Sequence, residues 1–247
     1  MRKSTIIYKN FVKKLCRILF YFRTSVIYNR GKNNEYILYD EKGNPTKHKY
    51  IKNLKVKFRG SNNIVHLPVD LKLSRPTEIS CYQNNIVKIG YTPHKLGLSI
   101  GSFSLGTKLI IGENVSMIDV NICVLGEPEL VIEIGDDCMF SGPVVVRPSD
   151  GHSIIDVQNG DILNRPQPIK IKEHCWIGQG VMILKGTNIP KNSIVGANSL
   201  LTSKTAENIS EEGGYIFAGV PAKPIKSGIN WARENTYLYK EKVSSQK

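Results

Sequence analysis

The sequence lacks the patterns that mark several classes of protein. Its five cysteines are an odd number and form no CxxC pair, so neither a disulfide framework nor a zinc site is predicted. It has no run of about 18 apolar residues, so no membrane-spanning helix is predicted. Lys13, Lys14 and Arg17 interrupt the apolar stretch near the start, and no small-residue cleavage site follows, so we expect no secretory signal. These absences favour a protein of the reducing cytoplasm.

Acidic residues are scarce in the first 75 positions, which hold 18 Lys or Arg against 4 Asp or Glu. The rest of the chain is nearly neutral, with 16 basic residues against 17 acidic ones. Apolar residues recur at helical spacing from Tyr8 to Val26, which predicts a basic amphipathic helix ending near Asn29. This helix would lie on an anionic membrane surface or bind an acidic polymer, or else pack against its own domain or a sister subunit. No nucleic-acid-binding motif accompanies the charge, so no nucleic acid partner is predicted.

A six-residue repeat between residues 171 and 206 organises the sequence. One position of each hexad is apolar, the position four residues later is small or β-branched, and the position three residues later is Gly or Asn in the middle hexads. Gly and Asn tolerate the left-handed backbone conformation that a tight corner needs. A helix would show a period near 3.6 and a half-buried strand a period of 2, so the repeat predicts a parallel β-helix of hexapeptide repeats. The three columns are Ile171, Ile177, Ile183, Ile189, Val195 and Leu201; Cys175, Val181, Thr187, Ser193, Ser199 and Thr205; and Gly180, Gly186, Asn192 and Asn198.

The predicted fold class is therefore dominated by β-structure, in three parts. Residues 1–52 form a basic N-terminal region with the amphipathic helix and short strands. Residues 53–228 form the β-helix, with irregular coils to about residue 85 and a protruding loop at residues 152–170. Residues 229–247 form a C-terminal helix that caps the open end of the stack, because solenoid ends expose apolar side chains.

His152 opens the predicted loop directly after Asp150 and Gly151, where the repeat is interrupted. Long loops on rigid scaffolds commonly carry function. Imidazole can accept a proton from a hydroxyl near neutral pH, which makes His152 a candidate general base. Asp150 or Asp156 could orient its second nitrogen, and the sequence leaves that choice open. The other four histidines are expected to be ordinary surface or corner residues.

Trp176 precedes the inward-facing Ile177, so the register points its indole away from the core. A large aromatic side chain there is unexpected if packing were the only demand. Its Nε1–H is a hydrogen-bond donor, so it could stabilise an oxyanion or form the wall of a ligand groove. The alternative is a plain contact between subunits.

Residues 86–231, which contain these motifs, resemble the left-handed β-helix acetyltransferases. The long loop after the histidine and the segment at residues 229–233 are most similar to the bacterial polysaccharide O-acetyltransferases, including those that act on polysialic acid. The blocks that carry the resemblance are the hexads, Ser-Asp-Gly-His (149–152), Cys-Trp-Ile-Gly (175–178), Ile-Leu-Lys-Gly (183–186), Ala-Gly-Val-Pro-Ala-Lys (218–223) and Ile-Asn-Trp-Ala-Arg (229–233).

The resemblance implies left-handed coiling and a homotrimer that binds acetyl-CoA as co-substrate in grooves between neighbouring subunits, without a metal. His152 would deprotonate a sugar hydroxyl, and the Trp176 N–H would hold the thioester oxygen. Asp150, which could orient His152, is a further candidate catalytic residue. The acceptor would be a carbohydrate such as an anionic surface polysaccharide, reached in the cytoplasm or at the inner face of the membrane. The residues implied for acetyl-CoA binding are Trp176, Gly178, Gly196, Ala197, Thr202, Lys204 and Lys223.

Three other functions compete with O-acetyl transfer. An N-acetyltransferase acting on a nucleotide-linked amino sugar would use the same histidine, because an ammonium group must lose a proton before it attacks. A metal β-helix like the γ-class carbonic anhydrases needs three histidines on zinc, and only His152 and His174 lie in the right region. A non-catalytic scaffold would leave His152 without a role.

Overall fold

The computed structural model describes residues 24–124, 126–210 and 212–245. They form 22 short strands, β1 to β22, and one helix, Thr236–Ser244. The strands stack in parallel, coil upon coil, around a single apolar core. The antiparallel pair β21–β22 stands at the C-terminal end of this stack.

Three sheets make up the stack. The first contains, in spatial order, β1 (Val26–Asn29), β3 (Leu54–Phe58), β6 (Thr77–Gln83) and β9 (Phe103–Leu105). The second contains β18 (Asn188–Ile189), β15 (Ile169–Ile171), β12 (Val131–Ile134), β10 (Lys108–Ile111), β7 (Ile86–Ile89), β4 (Ile64–Pro68) and β2 (Glu35–Tyr39). The third contains β20 (Leu200–Leu201), β17 (Met182–Leu184), β14 (Val144–Arg147), β11 (Ser116–Ile122), β13 (Met139–Phe140), β16 (Trp176–Ile177), β19 (Ile194–Val195), β21 (Ile216–Gly219) and β22 (Ala222–Lys226), with β8 (Lys95–Ile100) beside β11 and β5 (Lys72–Leu73) beside β8.

The third sheet bends around a corner of the solenoid. One end of β11 pairs with β13 and its other end pairs with β14, so the sheet covers two faces. Each coil of the regular part therefore presents three short strands in turn, as β12, β13 and β14 do.

The hexad prediction is confirmed residue by residue. The six apolar residues of the ladder are at most 2% exposed and the six small residues at most 3%. All four Gly and Asn residues of the third column have positive φ, between 56° and 74°. Each fully buried Ile or Leu stabilises the fold by about 1.5–3 kcal/mol, so the ladder supplies much of the core.

The pairing register locates the loop. Ile171 lies opposite Ile134, which is 37 positions earlier, and opposite Ile189, which is 18 positions later. The 18-residue step is one coil, so the longer step contains a segment that leaves the stack, residues 148–168 between β14 and β15. Within this loop, Ile155 and Ile162 form an antiparallel bridge, which makes its tip a short hairpin.

The stack begins earlier than the predicted boundary at residue 53. β1 pairs in parallel with β3, and β2 pairs in parallel with β4, so both lie within the sheets of the solenoid. The predicted helix cannot extend to Asn29, because Val26–Asn29 is a strand rich in β-branched and aromatic residues. The rest of that predicted helix lies outside the described residues.

The C-terminal helix is shorter than predicted, and none of its residues is buried. It therefore does not cover the end of the stack, which β22 borders instead by antiparallel pairing with β21. None of the helical segments that the structure describes is both apolar and long enough to cross a lipid bilayer.

Candidate active site

His152 is exposed at the base of the 148–168 loop and lines a cavity of about 380 Å³. Gly151 precedes it with a φ of +81°, a conformation that favours glycine, and Ser149 Oγ accepts a hydrogen bond of 3.0 Å from the Gly151 N–H. Neither imidazole nitrogen of His152 is hydrogen-bonded to a described residue. A base that must accept a proton from a substrate needs such a free nitrogen.

Asp150 holds the base of the loop rather than the imidazole. Its Oδ2 accepts hydrogen bonds from Lys185 Nζ and, at 2.8 Å, from Asn164 Nδ2. Asn164 Nδ2 also donates to the His152 carbonyl oxygen at 2.8 Å. The hydrogen bonds from Lys185 and Asn164 lower the pKa of Asp150 below its usual value, so the carboxylate stays charged at neutral pH. The predicted role of Asp150 in orienting the ring is thus replaced by a role in shaping the loop.

Asp156, the other carboxylate considered for that role, is also engaged within the loop. Its Oδ1 accepts a hydrogen bond of 2.7 Å from the Gln158 N–H, and its own N–H donates to the Asp161 carbonyl. The carboxylates that line the same cavity as His152 are instead Glu127 and Glu129.

Lys185 is a residue that the sequence reasoning missed as part of the site. Lys185 is half-buried, and besides its bond to Asp150 it donates to the Asn164 carbonyl oxygen at 2.9 Å. The register gives the reason, because Leu184 pairs with Arg147, the last strand residue before the loop. Lys185 therefore lies beside the start of the loop. An alignment of the repeats could have predicted this position.

Trp176 points outward, as the register predicts, and is 38% exposed beside the buried Ile177. In the sheet it lies between Met139 and Ile194 of the adjacent coils. Its Nε1–H makes no hydrogen bond to a described residue, so the donor is available. Trp176 lies on the face formed by β13, β16 and β19, whereas the His152 loop leaves from the next face, after β14.

Gly178, Gly196 and Ala197 lie at the corner that follows Trp176, in successive coils. The N–H of Gly178 donates to Val195 O and that of Gly196 to Phe217 O, both at 2.8 Å, so neither is free for a ligand. The N–H of Ala197 has no acceptor among the described residues. A Cβ on Gly178 would lie 2.7 Å from Val195 O, so this glycine is needed for the close stacking of coils.

Thr202, Lys204 and Lys223 complete the predicted set. Thr202 Oγ1 accepts a bond of 3.3 Å from the Lys204 N–H, and both lysines are exposed. Lys223 lies in β22, opposite Ala218. Within one chain the structure therefore gathers Trp176 with the corner residues Gly178, Gly196 and Ala197, but does not bring them to His152.

Comparison with known proteins was made by sequence and by structure. No model of a known protein family matches the sequence. The chain is 33% identical over 128 residues to the polysialic acid O-acetyltransferase of Escherichia coli O1:K1, which covers 52% of this chain and 39% of that protein. It is 32% identical over 146 residues to the galactoside O-acetyltransferase of Escherichia coli K12, which covers 58% and 65%. The matched part thus spans less than two thirds of either relative.

The fold is similar to that in the crystal structure of the polysialic-acid-specific acetyltransferase NeuO. The TM-score is 0.67 at 25% sequence identity, and the superposition covers 89% of this chain and 99% of that one. This likeness extends over most of the chain. It confirms the predicted β-helix.

Proposed function

Because the chain belongs to the left-handed β-helix acetyltransferases, we propose that it transfers an acetyl group from acetyl-CoA to a hydroxyl of a bacterial surface polysaccharide or of its precursor. The observation that supports this most is the His152 imidazole, which lines a cavity of about 380 Å³ with both nitrogens free of described partners. An anionic polymer such as polysialic acid would suit the basic N-terminal region, because opposite charge speeds encounter.

In the proposed reaction His152 accepts the proton of the acceptor hydroxyl. The hydroxyl oxygen attacks the thioester carbonyl carbon, a C–O bond forms, the C–S bond breaks and the CoA thiolate leaves. The thiolate takes up the proton from His152, so the imidazole returns to its neutral form. General base assistance of this kind contributes about 10²–10⁴-fold to a rate.

The face around Trp176 is proposed to bind acetyl-CoA. The free Nε1–H of Trp176 is a donor for the thioester oxygen as it gains charge. The free N–H of Ala197, with the carbonyl groups at Gly178 and Gly196, would pair with the pantetheine amides. Thr202, Lys204 and Lys223 are proposed to meet the remaining polar groups and phosphates of CoA, where exposed cations add modest energy.

A homotrimer is proposed as the active form, because His152 and Trp176 lie on different faces of one chain. A neighbouring copy would bring its Trp176 face to the His152 loop. The hairpin of that loop supports this, since it exposes apolar side chains that a subunit contact would cover, with Val157 97% exposed.

The proposed site of action is the cytoplasm, with contact at the inner face of the membrane through the basic N-terminal residues. Liposome flotation tests this contact: we expect the full chain to float with anionic vesicles, and a chain without residues 1–23, which keeps β1, to remain at the bottom. Equal flotation of both chains would exclude the N-terminal segment as the anchor.

The proposed function is tested by acetyl transfer from acetyl-CoA to a matched panel of glycans that offer either hydroxyl groups or a free amine. We expect ester formation on a hydroxyl acceptor, detected by mass and by its loss under mild alkali. Amide products on amino sugars alone would show an N-acetyltransferase instead.

A further inference from the structure

The segment 229–235, here called the strap, does not continue the solenoid but runs back along one of its corners. The Ile229 N–H donates to the Gly214 carbonyl at 3.2 Å, near the end of the stack. Four residues later, Arg233 has reached earlier coils, where Nη2 donates to the Asn114 carbonyl and Nη1 to Ser116 Oγ, both at 2.8 Å. The strap therefore lies along residues far apart in sequence that form one corner.

Trp231 is the central side chain of the strap and is only 9% exposed. Its Nε1–H donates to the His174 carbonyl oxygen at 2.8 Å. Its ring stacks on the His174 imidazole, with centroids 4.4 Å apart and an interplanar angle of 12°. The indole is thus fixed both by a hydrogen bond at its edge and by a stacked ring on its face.

Charged groups hold this pair in place. His174 Nδ1 lies 2.5 Å from Asp137 Oδ2, while Nε2 lies 3.1 Å from the Trp231 carbonyl oxygen. Arg233 Nε donates to Asp137 Oδ1 at 2.9 Å, and its guanidinium lies 5.7 Å from the centre of the Trp231 ring. The Asp137 carboxylate therefore joins the strap to His174. The planar guanidinium of Arg233, with several N–H donors, suits such a contact better than a lysine ammonium would.

Trp231 also lies beside Trp176, on the face that is proposed to bind acetyl-CoA. Its ring centre lies 6.1 Å from that of Trp176, with the planes tilted by 46°, a favourable geometry for an aromatic pair. Trp176 stands on a two-residue strand and is 38% exposed, so its sheet neighbours leave much of the indole uncovered. Trp231 covers part of it with a side chain that is itself fixed.

We infer that Trp231 is a positioning residue for Trp176, held in place by Asp137, His174 and Arg233. The inference rests on the proposed function, in which Trp176 contacts acetyl-CoA. A fixed neighbour reduces the number of orientations available to an exposed indole, so the donor is oriented before the ligand binds. The strap is in this way part of the acetyl-CoA site, although its own side chains need not touch the ligand.

A double-mutant cycle tests the inference. We expect Trp231→Leu to lower kcat/KM for acetyl-CoA about tenfold in the wild-type background, and less than about twofold in the Trp176→Phe background. Trp231→Phe keeps an aromatic ring on His174 and should restore most of the activity. Tyr237→Ala, an exposed aromatic residue just beyond the strap, is the matched control and should stay within about twofold of wild type. An equal loss from Trp231→Leu in both backgrounds would overturn the inference.

Fluorescence provides a second test that does not depend on activity. The chain has two tryptophans, so Trp231→Leu and Trp231→Phe each leave Trp176 as the only tryptophan, whose emission is excited selectively over that of the tyrosines. We expect stronger acrylamide quenching and lower anisotropy of Trp176 in Trp231→Leu than in Trp231→Phe. Identical values in the two folded variants would contradict a positioning role. If the wild-type protein transferred no acetyl group, the proposed function would fail, while this comparison would still decide the role of Trp231.

Discussion

Asp137 accepts hydrogen bonds from both Arg233 and His174, and these explain its ionisation. Burial alone would raise the pKa of this carboxyl, but the hydrogen bonds and positive charge of Arg233 and His174 outweigh burial and lower it below the ordinary 3.8. A carboxyl whose pKa is lower in the folded protein stabilises the fold above its unfolded pKa. That stabilisation is lost as the pH falls through the folded value.

This gives a pH prediction for Asp137→Asn. The variant should melt about 2–4 °C below wild type near pH 7, a shift typical of small changes in stability for a chain of this size. The difference should begin to narrow as the pH falls below about 3.8, because Asp137 of the unfolded wild-type chain then takes up a proton, and it should narrow further as the pH falls toward the lower pKa of the folded protein. Thermal melts from pH 7 to pH 3 measure it. A difference in Tm that stays constant with pH would show that charge is not responsible.

Residue roles were predictable from the sequence only where the repeat fixes direction. The outward position of Trp176 follows from the inward Ile177, and both are as predicted. The alignment of the coils places Lys185 beside the start of the loop, but its hydrogen bond to Asp150, 35 positions earlier, is a side-chain contact that the repeat does not specify. The strap contact between Trp231 and His174, 57 positions apart, was missed for the same reason.

Among the structural elements, the ladder of β16 to β20 depends on alternating burial. Ile183 is fully buried, while Met182 on the same strand is 38% exposed. We expect Ile183→Ala to destabilise the fold by about 2–5 kcal/mol, because it removes packed atoms and leaves a cavity. Met182→Ala is the matched control and should cost less than about 1 kcal/mol. Denaturant unfolding of both variants checks this, and equal losses would mean that the inward column is wrongly assigned.

The regular elements were predictable because burial and corner geometry select residue types at each step of six. The N-terminal coils were not, since β1 to β6 vary in length from two to seven residues and share no fixed period. Their place in the stack is set by pairing between strands, as between β1 and β3. A C-terminal helix is present as predicted, but its predicted role as a cap is wrong, because its apolar residues are exposed instead of covering the stack.

The candidate site is divided between two faces of one chain. The His152 loop leaves after β14, and Trp176 lies on β16 of the next coil, one face away. A solenoid is rigid along its length, so the chain cannot fold back to join these faces. A second copy is the simplest means of completing the site, which is why the trimer belongs to the proposed function.

The trimer gives a prediction about the loop hairpin. The native protein should have a mass about three times the 27.7 kDa of one chain by light scattering. Replacing the exposed Ile155 and Val157 by Asp should shift it toward the monomer, because burying a charge at an apolar contact is costly. Gln158→Asp, at the same hairpin, should leave the mass unchanged. A monomeric wild type, or a trimer in the double variant, would contradict this assembly.

In the proposed reaction, His152 is the base for acetyl transfer from acetyl-CoA to a sugar hydroxyl. The most direct measurement is the initial rate of that transfer for wild type, His152→Ala and His48→Ala, the last being an exposed histidine far from the loop. We predict a fall of about 10²–10⁴-fold for His152→Ala. His48→Ala should stay within about twofold of wild type. A His152→Ala protein that is folded and transfers acetyl groups at the wild-type rate would show that His152 is not the base.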